Sequence, residues 1–193
     1  MKKNVNMSNI NDVIKYLIEN NISKNEWYVE PFANDCGVLS TIRHPKKIAC
    51  DKNKHVIKMW RCIQGAKLNG LNDKEFNEYY YKKVNGVPLK DILFFGTALD
   101  VCTSQIKNFK DLENTIFISH NYDKLIFTEK SFVYCNILHD DTRDFWAWCR
   151  NVVKNNHKVM VSGFNAPKDF ICIYEIDGEG IYIHESQIPF FNF

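Results

Sequence analysis

Short apolar runs of strand length alternate along this chain with segments whose apolar residues recur at helical spacing, and that alternation most narrows the folds open to it. Residues 9–21 (NINDVIKYLIENN) put Ile10, Val13, Ile14, Leu17 and Ile18 on one stripe, which predicts a helix. Residues 26–30 (EWYVE) read as a strand that stops at Pro31, whose ring cannot continue a ladder. Residues 47–51 (KIACD) form a second strand ending in a carboxylate, followed by a helix over 53–64 with Val56, Ile57, Trp60 and Ile63 inward. A polar, Tyr-rich helix is predicted over 72–84, closed by Asn85-Gly86 and Pro88, and another over 89–107, interrupted at Gly96.

Three compact strands follow at 116–119 (IFIS), 132–135 (FVYC) and 158–162 (KVMVS). Between the last two lies a helix over 142–155 with Phe145, Trp146, Trp148 and Val152 as its buried set. The chain closes as a hairpin: 170–176, a turn of Asp177-Gly178-Glu179-Gly180, then 181–185. Strands separated by helices define an α/β fold with a mostly parallel sheet, to which the C-terminal hairpin adds an antiparallel edge. Ligands of such sheets sit beyond the carboxyl ends of the strands, where the strand order reverses. The loops after Glu30, Asp51 and Cys135 are therefore the candidate site.

At 193 residues the chain suits one domain, 1–193, and no repeat or low-complexity linker divides it. A hydrophobic fraction of 45% excludes general disorder, and a net charge of +2 lacks the basic excess of a dedicated non-specific nucleic-acid binder. Seven cysteines without a CxxC pair, several inside apolar runs, read as reduced thiols of an intracellular protein with no metal site. The opening Met1-Lys2-Lys3-Asn4 is no signal peptide and no apolar run is long enough for a bilayer, so a soluble protein without a membrane partner is expected. Lys54, Lys58 and Arg61 share one helix face, either a solvated stripe or a phosphate contact. The closing Ile188-Pro189-Phe190-Phe191-Asn192-Phe193 either tucks into the core or docks a partner. Abundant Asn, Lys and Ile point to an AT-rich genome, such as that of a phage or giant virus.

Two segments, 27–64 and 132–175, carry a longer pattern. It runs Phe145-Trp146-x-Trp148-Cys149-Arg150, then His157-Lys158-Val159, then Asn165-Ala166-Pro167-x-Asp169-Phe170, with a weaker match at 120–125 (HNYDKL). In these the chain resembles DNA adenine methyltransferases of the Dam type, especially phage and viral members. The resemblance implies a Rossmann-like, S-adenosylmethionine-dependent methyltransferase fold, and an ancestral activity that methylates the exocyclic amine of adenine in DNA.

Carried over residue by residue, the resemblance implies a cofactor site at Pro31, Phe32, Asn34, Asp51 and Asp123, and a transfer site at Asn136 and His139. Asp51, Asp123 and Asn136 match the family pattern, while the N-terminal motif, the glycine loop and the double proline depart from it. The N-terminal motif with glycine and lysine is matched by Met7-Ser8-Asn9-Ile10-Asn11, which has neither. The family's Pro-Phe-x-Gly-x-Gly loop reads Pro31-Phe32-Ala33-Asn34-Asp35-Cys36-Gly37, where Asn34 tolerates a left-handed backbone, Cys36 adds a side chain and Gly37 offers a one-residue shift. Asp51 would accept from the cofactor's ribose and Asp123 would contact its adenine; the bland alternatives are a helix N-cap and a turn residue. The Asp/Asn-Pro-Pro-Tyr transfer motif reads Asn136-Ile137-Leu138-His139. Asn136 keeps one acceptor for the target amine and His139 an aromatic face, while Ile137 and Leu138 lack the prolines that aim a second acceptor and are expected to fill the pocket. The expected protein is catalytically inactive, with vestigial site residues and no cofactor, or S-adenosylmethionine where binding survives. It would serve as a binding or assembly module for a protein partner or nucleic acid, or as a structural scaffold. The alternative is an active adenine methyltransferase working through the Asn136 loop on DNA or RNA.

Overall fold

Asn9 starts the first helix, α1 (Ile10–Asn21): its backbone is extended and its side chain accepts the Asn11 N–H at 2.9 Å, pairing a donor that a helix start leaves free. Val13, Ile14, Leu17 and Ile18 are buried on the stripe their spacing defines. The chain is described here by a computed structural model over residues 9–68, 113–137 and 143–193. The helices expected over 72–84 and 89–107 lie outside those residues.

Seven strands make one sheet: β1 (Trp27–Glu30), β2 (Lys47–Asp51), β3 (Thr115–Ser119), β4 (Ser131–Asn136), β5 (Lys158–Gly163), β6 (Phe170–Ile176) and β7 (Glu179–His184). Their order is β3-β2-β1-β4-β5-β7-β6, parallel from β3 to β5 and antiparallel over β7 and β6. The protein is thus α/β with a mixed, mostly parallel sheet, compatible with a Rossmann-like architecture.

Both faces of the sheet are covered, which is why its central strands read as continuous apolar runs. Tyr28, Phe132, Tyr134 and Met160 point to the face packed by α1 and α2 (Lys54–Leu68). Their neighbours Val29, Val133, Cys135, Val159 and Val161 point to the face packed by α3 (Arg143–Lys154). The buried set of α3 is Phe145, Trp146, Cys149 and Val152, so Cys149 takes the place expected for Trp148. At about 100° per residue, Cys149 lies one turn from Phe145 on the same stripe. Trp148 stands beside that stripe, half-buried against the Tyr122 and Phe127 rings. An Arg150–Asp169 fork with contacts of 2.6 and 2.8 Å ties α3 to the entry of β6, and His184 Nε2 stands 3.4 Å from the same carboxylate.

The C-terminal hairpin has a tighter turn than expected. Asp177 and Gly178 both have positive φ (52° and 83°), the two-residue geometry whose twist suits a hairpin, so Glu179 and Gly180 already belong to β7. A Cβ on Gly180 would sit 2.5 Å from the Tyr182 ring. No helix among the described residues is long and apolar enough to cross a membrane.

The apolar chain end is split between core and surface. Phe191 is buried against Phe132 with ring centroids 5.9 Å apart, while Phe190 and Phe193 stay exposed. Asn21 clamps the end by accepting the Asn192 N–H (2.6 Å) and donating to the Asn192 carbonyl (2.9 Å). Phe191→Ala is expected to cost about 3 kcal/mol in urea unfolding, as a buried aromatic leaving a cavity, and Phe190→Ala less than about 0.5 kcal/mol.

Candidate functional site

The parallel strands fan apart where their order reverses between β1 and β4, and the carboxyl ends of β1, β2 and β4 surround a cavity of about 330 Å³. That volume lies at the small end of ligand sites. Its walls come from Glu30 and the loop after β1, from Asp51 at the end of β2 and Lys52 beyond it, from Asn121 after β3, and from Tyr134 and Asn136 on β4 and Ile137 just after it. The three loops singled out from sequence thus meet around one space.

Pro31 ends β1 because it has no N–H to give. The loop then folds back against β2, with the Ala33 N–H donating to the Cys50 carbonyl at 2.8 Å. Asp51 binds two segments: Oδ2 accepts the Asn34 N–H (3.1 Å) and Oδ1 the Asn53 N–H (2.7 Å). From α2, Trp60 Nε1 donates to the Asn34 carbonyl at 2.8 Å. The loop is therefore fixed by backbone contacts to β2 and α2. Asp51 is not the cap of α2; Asn53 is, its side chain accepting the His55 N–H at 2.9 Å.

Asn34 and Cys36, the two positions where the family pattern has glycine, both adopt left-handed backbone, with φ of 39° and 53°. Both hold a backbone shape that glycine adopts freely, at a cost of roughly 1 kcal/mol for a residue with a Cβ. Gly37 has no positive φ and supplies no shifted substitute. The side chain that Cys36 adds lies outside the cavity lining: it is fully buried in the core cluster that includes Val38 and Leu39. Phe32 anchors the other side of the loop, with ring centroids 5.4 Å from Tyr122 and 5.7 Å from Phe145.

Glu30 is the site residue the sequence reading passed over, because a carboxylate at a strand end resembles any polar boundary. It is buried at the base of the cavity, where Tyr28 donates its hydroxyl hydrogen to Oε1 and the Leu39 N–H reaches the carboxylate. Burial pushes its carboxyl from 4.5 up to about 8, with the Asp35 charge adding to the rise and the Tyr28 hydrogen bond and Lys47 opposing it. Burial thus favours the protonated, neutral form of Glu30. Tyr134, which also lines the cavity, shares a 2.8 Å hydrogen bond with Ser162 Oγ, and burial raises its phenol.

Asn136 ends β4 with its side chain exposed at the cleft. Ile137 stays zipped to β5, its N–H donating to the Ser162 carbonyl at 2.9 Å, a bond no proline makes. Its carbonyl lies against Gly163, where an added Cβ would sit 2.8 Å from the oxygen. Its side chain packs into the α3-side core, so it borders the cavity without filling it. Leu138 and His139 lie outside the described residues. Asp123 sits in an exposed turn, 3.6 Å from Lys124, and away from the cavity lining; its neighbour Asn121 is the residue that reaches the cleft. Among the described residues no group of three or more His, Cys, Asp or Glu side chains is placed to hold a metal ion.

Two substitutions test this geometry. Asn34→Gly should leave stability unchanged or raise it by up to about 0.5 kcal/mol, whereas Asn34→Ala should lower it by about 1 kcal/mol, so that in thermal melting only the alanine variant falls below the native protein. Glu30 binds its proton more tightly folded than unfolded, so its contribution to stability is fully present below 4.5 and is lost as pH rises to about 8. Unfolding measured across that window should show the native protein losing up to several kcal/mol relative to Glu30→Gln, and a flat difference would overturn the assignment.

No protein-family model matches the chain, and no curated protein matches it significantly.

Proposed function

We propose that this protein is a methyltransferase-like module that keeps a cleft for S-adenosylmethionine but has lost the transfer of its methyl group to adenine. The observation that carries the reading is the loop over 31–37, which holds left-handed backbone at Asn34 and Cys36 and leaves the cavity open. A chain with no use for that space would be free to relax two strained residues. The donor set fits the same ligand: backbone of the loop after β1 for close approach, Asp51 at the end of β2 for vicinal hydroxyls, and Asn121 at the wall for a heterocycle edge. Bound there, the cofactor would supply an electrophilic methyl group.

Loss of transfer is supported at β4. Methylating an exocyclic amine needs two acceptors that aim the nitrogen lone pair. Asn136 offers one. A strand residue's N–H and C=O lie on the same side, so Ile137, by donating to Ser162, turns its carbonyl toward β5 and Gly163 rather than toward the cleft. A misplaced acceptor of this kind costs on the order of 100-fold or more in rate. The exposed rings of Phe190 and Phe193 give the module an apolar surface for a protein partner, and a nucleic-acid partner is the other candidate.

A second reading, transfer through Asn136 alone, is favoured by the exposure of that side chain at the cleft. Calorimetric titration with S-adenosylmethionine, together with a labelled-methyl assay on DNA and RNA, decides between them. The expected result is micromolar binding, weakened at least about tenfold in Asp51→Asn, with no label transferred. Absence of binding at millimolar cofactor would defeat the proposal; label transfer that Asn136→Ala abolishes would establish the second reading instead.

A further inference from the structure

Two further cavities open at the other end of the sheet, where β1, β4 and β5 begin. One, of about 500 Å³, lies between the segment that leads into β4 and the last turns of α3. The other, of about 450 Å³, lies between the start of β5 and the turn that follows β7. Both volumes fall in the range of small-ligand sites. Lys130, Asn156 and His157 line both cavities, so the two adjoin at those residues.

Each cavity combines aromatic surface with polar groups. The first is bordered by Trp148, Phe127 and His157, with the Phe127 centroid 6.4 Å from Trp148 and 5.1 Å from His157. Asn151 and Asn155 stand beside these rings, and Asn155 Nδ2 donates to the Asn151 carbonyl at 2.8 Å and towards Asn151 Oδ1 at 3.4 Å. That leaves the Asn151 Nδ2 donor and the Asn155 Oδ1 acceptor without partners among the described residues. The second cavity is bordered by the Phe190 ring, which is 71% exposed. The carboxylates at this end are already paired: Glu129 Oε2 lies 2.9 Å from Lys46 Nζ, and Glu26 Oε2 3.6 Å from Lys158 Nζ. Lys130, at the junction, has no side-chain hydrogen bond or ion pair among the described residues.

We propose that these two cavities bind single-stranded nucleic acid, taking one of two successive bases each, with the phosphate that joins them at Lys130. A nucleotide strand repeats a flat ring with polar edges and an anion; the site has aromatic surface on either side of a cation. A base of any identity stacks on an aromatic face, and the two amides offer its edge both a donor and an acceptor. A neutral sugar would leave Lys130 unused, and a duplex keeps its bases inside the helix, out of reach of both cavities. A net charge of +2 suits a strand held by stacking and one phosphate contact, which needs no basic excess. Of the two partner classes above, the inference selects nucleic acid. It concerns the end of the sheet opposite the cleft and does not rest on cofactor binding there.

The test is titration of the whole chain with short oligothymidylate and oligoadenylate, as single strands and annealed to each other, followed by anisotropy and by tryptophan fluorescence. Single strands should bind, and the duplex at least about tenfold more weakly. Stacking on Trp148 should quench part of the tryptophan emission, and Trp148→Phe, which keeps a ring in the packing, should remove that part. Phe190→Ala should weaken binding at least about fivefold. Lys130→Gln should lower the slope of log affinity against log salt by about 0.7, the share of one phosphate contact on a single strand. Thermal melting checks that each variant is folded. No binding of either strand at high micromolar concentration would overturn the proposal. So would binding that all three substitutions leave unchanged, or a duplex held as tightly as its strands. Titration with S-adenosylmethionine reads the cleft alone, so the two proposals fail separately.

Discussion

Everything in this molecule follows from a parallel sheet that must be buried on both faces. A parallel strand has no short return, so each one is followed by a crossover, and the crossovers cover the faces. Alternate residues of β4 and β5 consequently serve two separate cores, one under α1 and α2 and one under α3. With the order reversing between β1 and β4, the loops that follow them part, and the described residues at their carboxyl ends border a cavity. The cleft is a product of topology before any side chain lines it.

That origin explains what the sequence made legible. Burial on both faces writes apolar runs such as Val133–Cys135 directly into the chain, and a one-sided helix such as α1 writes its stripe at helical spacing, so strands, order of elements and the position of the cleft could be read. Tertiary choices could not. Nothing local separates Cys149 from Trp148 as the inward residue, because both neighbour the stripe and the larger ring looks the better core residue. Nothing local marks Asn34 and Cys36 as left-handed, since glycine is the usual sign and it is missing. Glu30 looks like a strand end, and only the packing of Tyr28, Leu39 and Tyr134 around it makes a buried acid.

The residues behind the family resemblance turn out to be scaffold more than chemistry. Phe145 and Trp146 fill the α3-side core, Trp146 meets Phe170 with centroids 4.7 Å apart, and Arg150 binds Asp169. These contacts orient α3 and the hairpin whether or not a methyl group is ever moved. A pattern of this sort speaks for architecture, and function has to be sought in the loops.

The loops themselves answer to different supports, and this lets the two sides of the cleft be shaped separately. The segment after β1 is fixed by Cys50, Asp51 and Trp60, all on β2 and α2. The segment after β4 is fixed by Ser162 and Gly163 on β5. The contacts from Ala33 to Cys50, Asn34 to Asp51 and Trp60 to Asn34 share no residue with the one from Ile137 to Ser162. Substitutions at separated sites with no shared partners act nearly independently. The Ile137 carbonyl is thus turned to β5 by one set of contacts, while the backbone of the loop after β1, and the buried acid beneath it, are held in shape by another.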